Sequence, residues 1–123
     1  MKYLILIYGN PTSRHVWEGL SAARRAEGLA AYTALTEDLV ASGEMIVSSP
    51  LADPSLTKRV AVQAGRTMTS DGPFAEAKEL LAGFYFVECE SMERAVEYAA
   101  RVPEAALGLV EVRPTMDLSA FEM

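Results

Sequence analysis

The sequence predicts a single α+β domain with the ferredoxin-like, split βαβ arrangement. Three observations lead to this prediction. The chain has 123 residues, a length typical of one domain. Half of its residues are hydrophobic, which is enough for a packed core without disulfide or metal support. Its strand-like and helical segments follow the order strand, helix, strand, hairpin, strand, helix, strand, so both helices are expected on one face of a sheet.

The first half of the chain is predicted to begin with a strand and a long helix. Residues 3–8 are apolar at every position, which is typical of a strand covered on both faces. Gly9 ends this run, and one short helical turn is expected within residues 12–20. Ser21 is a suitable N-cap and Gly43 a suitable left-handed terminator for the long helix between them. The apolar stripe of this helix is formed by Ala26, Leu29, Tyr32, Leu35, Leu39 and Val40.

The second half of the chain is predicted to be rich in strands. The expected elements are a strand at residues 44–49, a hairpin of residues 58–62 and 66–70, a strand at 83–88, a helix capped by Ser91, and a strand at 107–112. The helix is expected to bury Met92, Ala95, Val96 and Ala99. Residues 74–81 suit either a helical turn or an extended arm. The domain is expected to span residues 1–116, with residues 117–123 as a tail.

The hydrophobic content predicts a homodimer. Both helices are expected on one face of the sheet, yet the first strand is apolar on both of its sides. The sheet of a second copy would cover the remaining face, and sheet-to-sheet packing of this kind encloses space in which a small molecule can bind. We therefore expect a dimer with a cavity between the two sheets.

Charge and cysteine content exclude several other classes of function. The chain has 17 acidic and 11 basic residues, and its net charge of -6 argues against nucleic-acid binding because a phosphate backbone requires a basic surface. The single cysteine, Cys89, allows no internal disulfide. Its acidic neighbours, Glu88 and Glu90, are expected to raise its pKa and suppress its reactivity. The lone histidine, His15, is expected at the surface.

Cofactor and membrane signals are also missing from the sequence. It contains neither a phosphate-binding glycine loop nor a dinucleotide fingerprint, so we expect no cofactor and no metal. The apolar run at the N-terminus is too short to span a bilayer. A cytoplasmic location without membrane contact is therefore expected.

The segment Asp71-Gly72-Pro73-Phe74-Ala75-Glu76-Ala77-Lys78-Glu79 resembles the signature of the DGPF family of YCII-related proteins. The opening strand with Ile7-Tyr8-Gly9 and the closing Val110–Pro114 segment are also similar to that family, so that the resemblance covers about residues 1–116. It implies a ferredoxin-like fold that dimerises into an α/β barrel, and it implies no established activity. In the wider group, a histidine in the first helix and an aspartate are suggested as a catalytic pair. The predicted helix 21–42 has no histidine, and Tyr32 is expected in its place.

The candidate site residues come mainly from the signature segment. Asp71 is a candidate general base or substrate-orienting carboxylate, although a turn aspartate also bonds to its own backbone. Lys78 is a candidate nucleophile or anion-binding group, and the alternative is an ion pair on a solvated face. The candidate binding residues, each with packing or surface charge as the alternative, are Tyr8, Tyr32, Phe74, Glu76, Glu79 and Arg113.

Three functional hypotheses follow. The first is a small-molecule-binding protein, and by extension a cofactor-free enzyme, that acts on an anionic or oxygen-rich molecule in the cavity between the sheets. The second is a regulatory module that binds an extracytoplasmic-function sigma factor. It is motivated by the gene neighbourhoods of the resembled family, and the acidic charge of the chain suits docking to a basic partner. The third is a plain dimer without a ligand.

Overall fold

The computed structural model describes residues 1–121. Within these residues the six strands are β1 (Lys2–Gly9), β2 (Met45–Pro50), β3 (Lys58–Gln63), β4 (Arg66–Asp71), β5 (Leu80–Glu88) and β6 (Val110–Pro114). The α-helices in the same part of the chain are α1 (Pro11–Gly19), α2 (Ala22–Ser42) and α3 (Met92–Ala99). Short 3-10 turns occupy Pro54–Leu56, Pro103–Leu107 and Leu118–Phe121. Among the helices of the described residues, none is long and apolar enough to cross a membrane.

Four strands form the main sheet in the order β2-β5-β1-β6, and every neighbouring pair is antiparallel. Strands β3 and β4 form a separate two-stranded sheet, which is inserted between β2 and β5 in the chain. Without this insertion, the strand order and the two intervening helices, α2 and α3, are those of the split βαβ arrangement. The predicted fold class and the predicted hairpin are both confirmed.

The core lies between one face of the main sheet and the helices α2 and α3. Alternate residues of β1 and β5 point into it, because side chains along a strand alternate between faces. The largest completely buried side chains are Ile5, Leu35, Leu39, Val87 and Val102. Fully burying each of these side chains contributes about 1.5–3 kcal/mol to stability.

The predicted helix boundaries agree with the capping observed. The Ser21 side chain accepts a hydrogen bond from Arg24 N at 3.2 Å, and Gly43 ends α2 with a left-handed backbone of φ 79°. Ser91 caps α3 in the same way through Arg94 N at 3.2 Å. Each cap satisfies backbone groups that the ends of a helix leave without partners.

Other parts of the helical prediction were wrong. Leu29 and Val40, placed in the apolar stripe of α2, are 59% and 62% exposed. Leu29 is in the first half of α2, where α1 packs, so this half contributes no residue to the buried core. Val96 of α3 is half-exposed, and Tyr98 is buried instead. The expected single helical turn before Ser21 is the nine-residue helix α1.

The last strand also begins later than predicted, at Val110, because residues 103–107 form a 3-10 turn. Gly108 ends this turn in a left-handed conformation of φ 70°, which a glycine adopts without the steric cost that other residues meet. Within residues 74–81, where two alternatives were open, the chain forms turns and bends until β5 begins at Leu80.

The second face of the main sheet carries apolar side chains. Leu4, Leu6, Phe84 and Phe86 alternate with the buried positions and are half-buried, and Val47 of the edge strand β2 is exposed. We call these five residues the open sheet face. Its composition agrees with the expectation that β1 is apolar on both sides, whereas the dimer that would cover it stays a prediction.

Candidate functional site

A cavity of about 1360 Å³ lies at one end of the main sheet. Its walls come from α1, the first half of α2 and the 3-10 turn at residues 103–107. The end of β1, the beginning of β5 and the Leu51–Pro54 segment complete the lining. This cavity is formed within one chain, between helices and the sheet end. A cavity enclosed between the sheets of two copies is a separate feature, and it stays a prediction.

Tyr32 and Glu104 form a hydrogen-bonded pair in the wall of this cavity. The Tyr32 hydroxyl donates to Oε2 of Glu104, and both side chains are partly buried. Tyr32 lies one helical turn before Leu35, at the point where α2 leaves the core, and Pro103 and Gly108 delimit the turn that places Glu104 opposite it. The pair therefore joins α2 to the segment that leads into β6.

The environment of Tyr32 keeps its phenol protonated. Burial, followed by the hydrogen bond and the negative charge of Glu104, raises the pKa of Tyr32 far above its usual range. A phenol with this pKa keeps its O–H as a hydrogen-bond donor at neutral pH, and the Glu104 carboxylate accepts hydrogen bonds. The one O–H of Tyr32 is donated to Glu104, so Tyr32 donates to a molecule in the cavity when that O–H turns away from the carboxylate.

Trp17 of α1 supplies an aromatic wall. Its ring packs against Gly28 of α2, where an added Cβ would meet ring atom Cζ3 at 3.5 Å. The Arg25 guanidinium lies 5.7 Å from the centre of the ring, and it donates to the carbonyl oxygens of Trp17 and Glu18 at 3.1 and 2.8 Å. None of the nine residues of α1 is buried, so these contacts with α2 are what hold the helix in place.

Charged residues at the rim of the cavity are paired with one another. Arg14 of α1 reaches Asp53 with an N–O distance of 3.1 Å, which connects the helix to the loop after β2. Arg24 lies 3.7 Å from Glu27 along α2. The opposite charges balance, so the lining has no strong net charge, and the remaining wall is largely apolar. Such a cavity suits a small neutral molecule with a few polar groups.

Two of the predicted site residues, Tyr8 and Tyr32, line the cavity. Burial, and after it the Glu111 carboxylate, raises the pKa of Tyr8, while the positive charge of Arg113 acts in the opposite direction. Arg113 itself is exposed on the edge strand β6. The positions of Tyr8 and Tyr32 suit their predicted binding roles, whereas Arg113 lies outside the lining, and all three roles stay predictions.

The predicted residues of the signature segment lie outside the described lining of the cavity. Asp71 forms an ion pair with Lys58 across the hairpin, and the Arg59 guanidinium lies 4.7 Å from the centre of the Phe74 ring. The remaining three, Glu76, Lys78 and Glu79, are exposed. Asp71 and Phe74 thus each contact a residue of β3, and the proposed chemical roles of the signature residues stay predictions.

Sequence reasoning missed Glu104 and Trp17 as site residues. Glu104 is separated from Tyr32 by 72 residues, and no local spacing pattern connects the two. Trp17 was expected in a short turn, whereas the helix α1 places it against α2. The spacing of Asn10 and Ser13 was a usable sequence signal for the start of α1. In the structure the Asn10 side chain accepts a hydrogen bond from Ser13 N at 2.7 Å, and Asn10 N donates to Ser13 Oγ at 2.9 Å. This is a capping box, followed at once by a proline at the first helical position.

A second polar cluster surrounds Glu44, between α2 and α3. Its carboxylate accepts from Arg94 Nη2 and Nε at 3.1 and 3.3 Å and from the Tyr98 hydroxyl. The Arg94 guanidinium is the largest cause that lowers the pKa of Glu44 to about 2, in spite of partial burial. Burial, and after it Glu44, raises the pKa of Cys89 to about 11. The expected suppression of the thiol thus has a different cause from the neighbours Glu88 and Glu90.

The side chains of the Glu44 cluster bond to one another. Among residues 1–121, no group of three or more His, Cys, Asp or Glu side chains is arranged to hold a metal ion. The Glu44 cluster has its charges and hydrogen bonds satisfied internally, as is usual for a cluster that joins structural elements. The cavity with Tyr32 and Glu104 is therefore the better candidate site.

Comparisons with known proteins agree with this structure. The sequence model of the YCII-related domain matches residues 1–119. An uncharacterised protein of Rhizobium meliloti strain 1021 is 31% identical over 116 residues, which cover 93% of this chain and 91% of that protein. A solved structure, that of 5-chloro-2-hydroxyhydroquinone dehydrochlorinase from Burkholderia phenoliruptrix AC1100 in complex with 2,5-dihydroxybenzoquinone, is similar with a TM-score of 0.51. It is 22% identical and covers 94% of each chain, and at this identity the similarity shows a shared fold.

Proposed function

The chain belongs to the YCII-related domain family, and from that premise we propose that it is a cofactor-free enzyme acting on a small hydroxylated ring. The ring binds in the cavity between α1, α2 and the turn at residues 103–107. The observation that carries this proposal is the Tyr32–Glu104 pair in the cavity wall. The narrower assignment to the DGPF group stays a prediction.

The proposed chemistry is proton transfer at a ring hydroxyl. Glu104 accepts the proton, the O–H bond breaks, and the electron pair moves into the ring as a carbonyl group forms. The protonated carboxyl then returns the proton to a ring carbon, so the step is a tautomerisation that needs no oxidant. Tyr32 stays protonated throughout, and its O–H turns from Glu104 to donate a hydrogen bond to the oxygen that carries the developing charge.

The shape of the cavity supports a flat ring. The Trp17 ring and the apolar lining offer area for stacking, which suits an aromatic ligand. The structurally similar dehydrochlorinase was solved with a dihydroxybenzoquinone, a ring with several oxygens. The balanced charges at the rim favour a neutral ring over an anionic one, and we therefore propose the oxygen-rich alternative of the two expected ligand classes.

Calorimetric titration with anaerobic hydroxyhydroquinone tests this proposal. We expect saturable binding by the wild type. We expect about tenfold weaker binding by Tyr32→Phe and by Glu104→Gln, because each loses one hydrogen bond to the ring. The matched controls are Tyr3→Phe, whose hydroxyl contacts the sulfur of Met1, and Glu37→Gln on the exposed surface of α2. Equal affinities of wild type and site variants, or no saturable binding at millimolar ligand, would contradict the proposal.

The same proposal includes a homodimer formed through the open sheet face. Half-buried Leu4, Leu6, Phe84 and Phe86 form an apolar surface that a second sheet would cover. Light scattering is expected to give twice the mass of one chain. A mass of one chain at micromolar concentration would contradict the dimer.

The remaining predictions keep their own tests. Asp71 and Lys78 are proposed as an alternative site at the base of the hairpin, outside the lining of the cavity. If the hydroxylated ring binds there, Asp71→Asn or Lys78→Met is expected to reduce its turnover. Binding to a sigma factor stays a prediction as well. A pull-down with an extracytoplasmic-function sigma factor tests it, and the absence of retention at micromolar concentration counts against it.

A further inference from the structure

The hairpin of residues 58–71, which we call the arm, extends from the body of the domain. We propose that the arm is an interaction surface that packs against a second copy of this chain. This inference rests on the homodimer of the proposed function and adds to it a second contact region, away from the open sheet face. Three observations support this proposal: the side chains of the arm are exposed, its net charge is opposite to that of the rest of the chain, and its base lies beside the cavity.

The arm exposes all of its strand residues. Each of the six residues of β3 and the six of β4 is exposed, so the arm does not bury its side chains against its own body. Val60 and Val62 are both 66% exposed, and they lie on the same side of β3 because side chains alternate along a strand. Their cross-strand partners are Thr69 and Thr67. An isolated two-stranded sheet is marginally stable in water, and β-branched side chains on it favour further packing.

The charge of the arm is opposite to that of the rest of the chain. Residues 58–71 contain three basic side chains, Lys58, Arg59 and Arg66, and one acidic side chain, Asp71, which pairs with Lys58. The arm therefore carries a net charge of +2, and taking this from the net charge of -6 leaves -8 for the rest of the chain. A basic arm on an acidic body is complementary to the body of another copy, and such complementarity steers association.

The base of the arm connects it to the cavity. Gly72 N donates to Thr57 O at 2.8 Å, which holds the two ends of the arm side by side. The segments that lead into and out of this base, Leu51–Pro54 and Leu80–Ala82, both line the cavity. An arm held by a second copy therefore fixes part of the cavity wall, and assembly is expected to favour ligand binding.

Two variants test the arm by sedimentation of the full-length protein. In Val60→Thr/Val62→Thr, the strand-forming shape of each side chain is kept while its apolar surface is removed. In the second variant, residues 58–71 are replaced by two glycines, which the closeness of Thr57 and Gly72 permits. The control is Val40→Thr/Val96→Thr, the same exchange at two exposed helical positions.

We expect both arm variants to raise the dissociation constant of the dimer at least about tenfold, since the packing of both valines against the second copy is lost. The control is expected to match the wild type. Raising the salt concentration from about 0.05 to about 1 M is expected to weaken the wild-type dimer more than the glycine-replaced one, because salt screens the charges of the arm.

The outcomes separate this inference from the proposed function. A dimer of unchanged affinity in both arm variants would overturn the role of the arm and leave the sheet-face dimer standing. A monomeric wild type would overturn both the role of the arm and the sheet-face dimer. A deletion variant that keeps wild-type dimer affinity and loses only ligand binding would also overturn the inference, because the arm would then serve the cavity and not the assembly.

Discussion

The Tyr32 hydroxyl donates a hydrogen bond to Glu104 Oε2 across the cleft between α2 and the turn at residues 103–107. This contact connects two segments that are 72 residues apart in the chain. Burial and the adjacent carboxylate raise the pKa of Tyr32 far above its usual range, so the phenol is a donor and not a base. Because the pKa of Tyr32 is raised, Glu104 and not Tyr32 is the group of this pair that can accept a proton from a ligand.

The first prediction concerns the ionisation of Tyr32. At pH 11 an ordinary tyrosine, whose pKa is about 10, is mostly ionised, whereas Tyr32 is expected to stay neutral. The tyrosinate absorbance that develops between pH 8 and 11 is therefore expected to be equal in the folded wild type and in Tyr32→Phe. An excess of one tyrosinate in the wild type, with circular dichroism confirming that it is folded, would show that the phenol is not held neutral.

The same shift has a consequence for stability. Because the pKa of Tyr32 is higher in the folded state than in the unfolded state, its contribution to stability is complete below about pH 10. That contribution decreases as the pH rises above this value. Urea unfolding of wild type and Tyr32→Phe is expected to show a difference in free energy that is constant from pH 6 to 9 and smaller at pH 11.

The second prediction concerns the acid stability conferred by Glu44. Its pKa falls from 4.5 to about 2 on folding, so its contribution is complete above about pH 5 and is lost as the pH falls towards 2. With Arg94 partly exposed, we expect the loss to be about 1–2 kcal/mol. Urea unfolding of the wild type is expected to show this pH dependence, and Glu44→Gln is expected to lack that part of it.

Glu37→Gln is the matched control for this measurement, since Glu37 is exposed on α2. It is expected to retain the pH dependence of the wild type. If Glu44→Gln and the wild type lose the same free energy of unfolding between pH 5 and 2, the depressed pKa of Glu44 is wrong.

The third prediction concerns the close approach of β2 to β5 at Gly83. A Cβ added at Gly83 would lie 3.1 Å from Ser49 O and 3.3 Å from Pro50 Cα, and both of these atoms belong to the backbone of β2. Backbone atoms of a paired strand cannot move aside as a flexible side chain can. Gly83→Ala is therefore expected to lower the free energy of unfolding by about 1–3 kcal/mol.

Gly19→Ala provides the comparison, because a Cβ at Gly19 meets no atom within 4 Å. Alanine also has a higher helix propensity than glycine, so this variant is expected to be at least as stable as the wild type. Urea unfolding of both variants is the measurement. Equal stability of the two would mean that β2 adjusts at Gly83 without cost.

The parts of the fold that could be predicted from the sequence are those where helix capping and the pattern of apolar residues indicate the same element. Ser21 and Ser91 cap the start of α2 and α3, and Gly43 ends α2, through interactions with neighbouring backbone groups that depend on few residues. The uninterrupted apolar run of β1 likewise predicted a strand that is apolar on both of its sides. Leu29 was assigned to the core wrongly, because helical periodicity identifies an apolar face and does not say how far along the helix the sheet extends.

The candidate site was less accessible to sequence reasoning. Tyr32 was identified as a site residue, while its partner Glu104 depends on the conformation of the turn that Pro103 begins and Gly108 ends. That contact joins residues distant in the chain, and a single sequence carries no signal of such pairs. The signature segment attracted attention for its charged residues, yet its position at the base of the hairpin follows from the pairing of β3 with β4.

The last prediction concerns Cys89, the single cysteine of the chain. The residue is 3% exposed, and burial together with Glu44 raises the pKa of its thiol to about 11. At pH 8 about one in a thousand of the folded molecules then has an ionised Cys89 thiol. In the unfolded chain, where the pKa of the thiol is about 8.5, about a quarter of the molecules have an ionised thiol. Since the thiolate is the reactive form, we expect Ellman's reagent to modify native Cys89 at least about a hundredfold more slowly than the urea-unfolded protein. Comparable rates in the two states would contradict both the burial and the raised pKa.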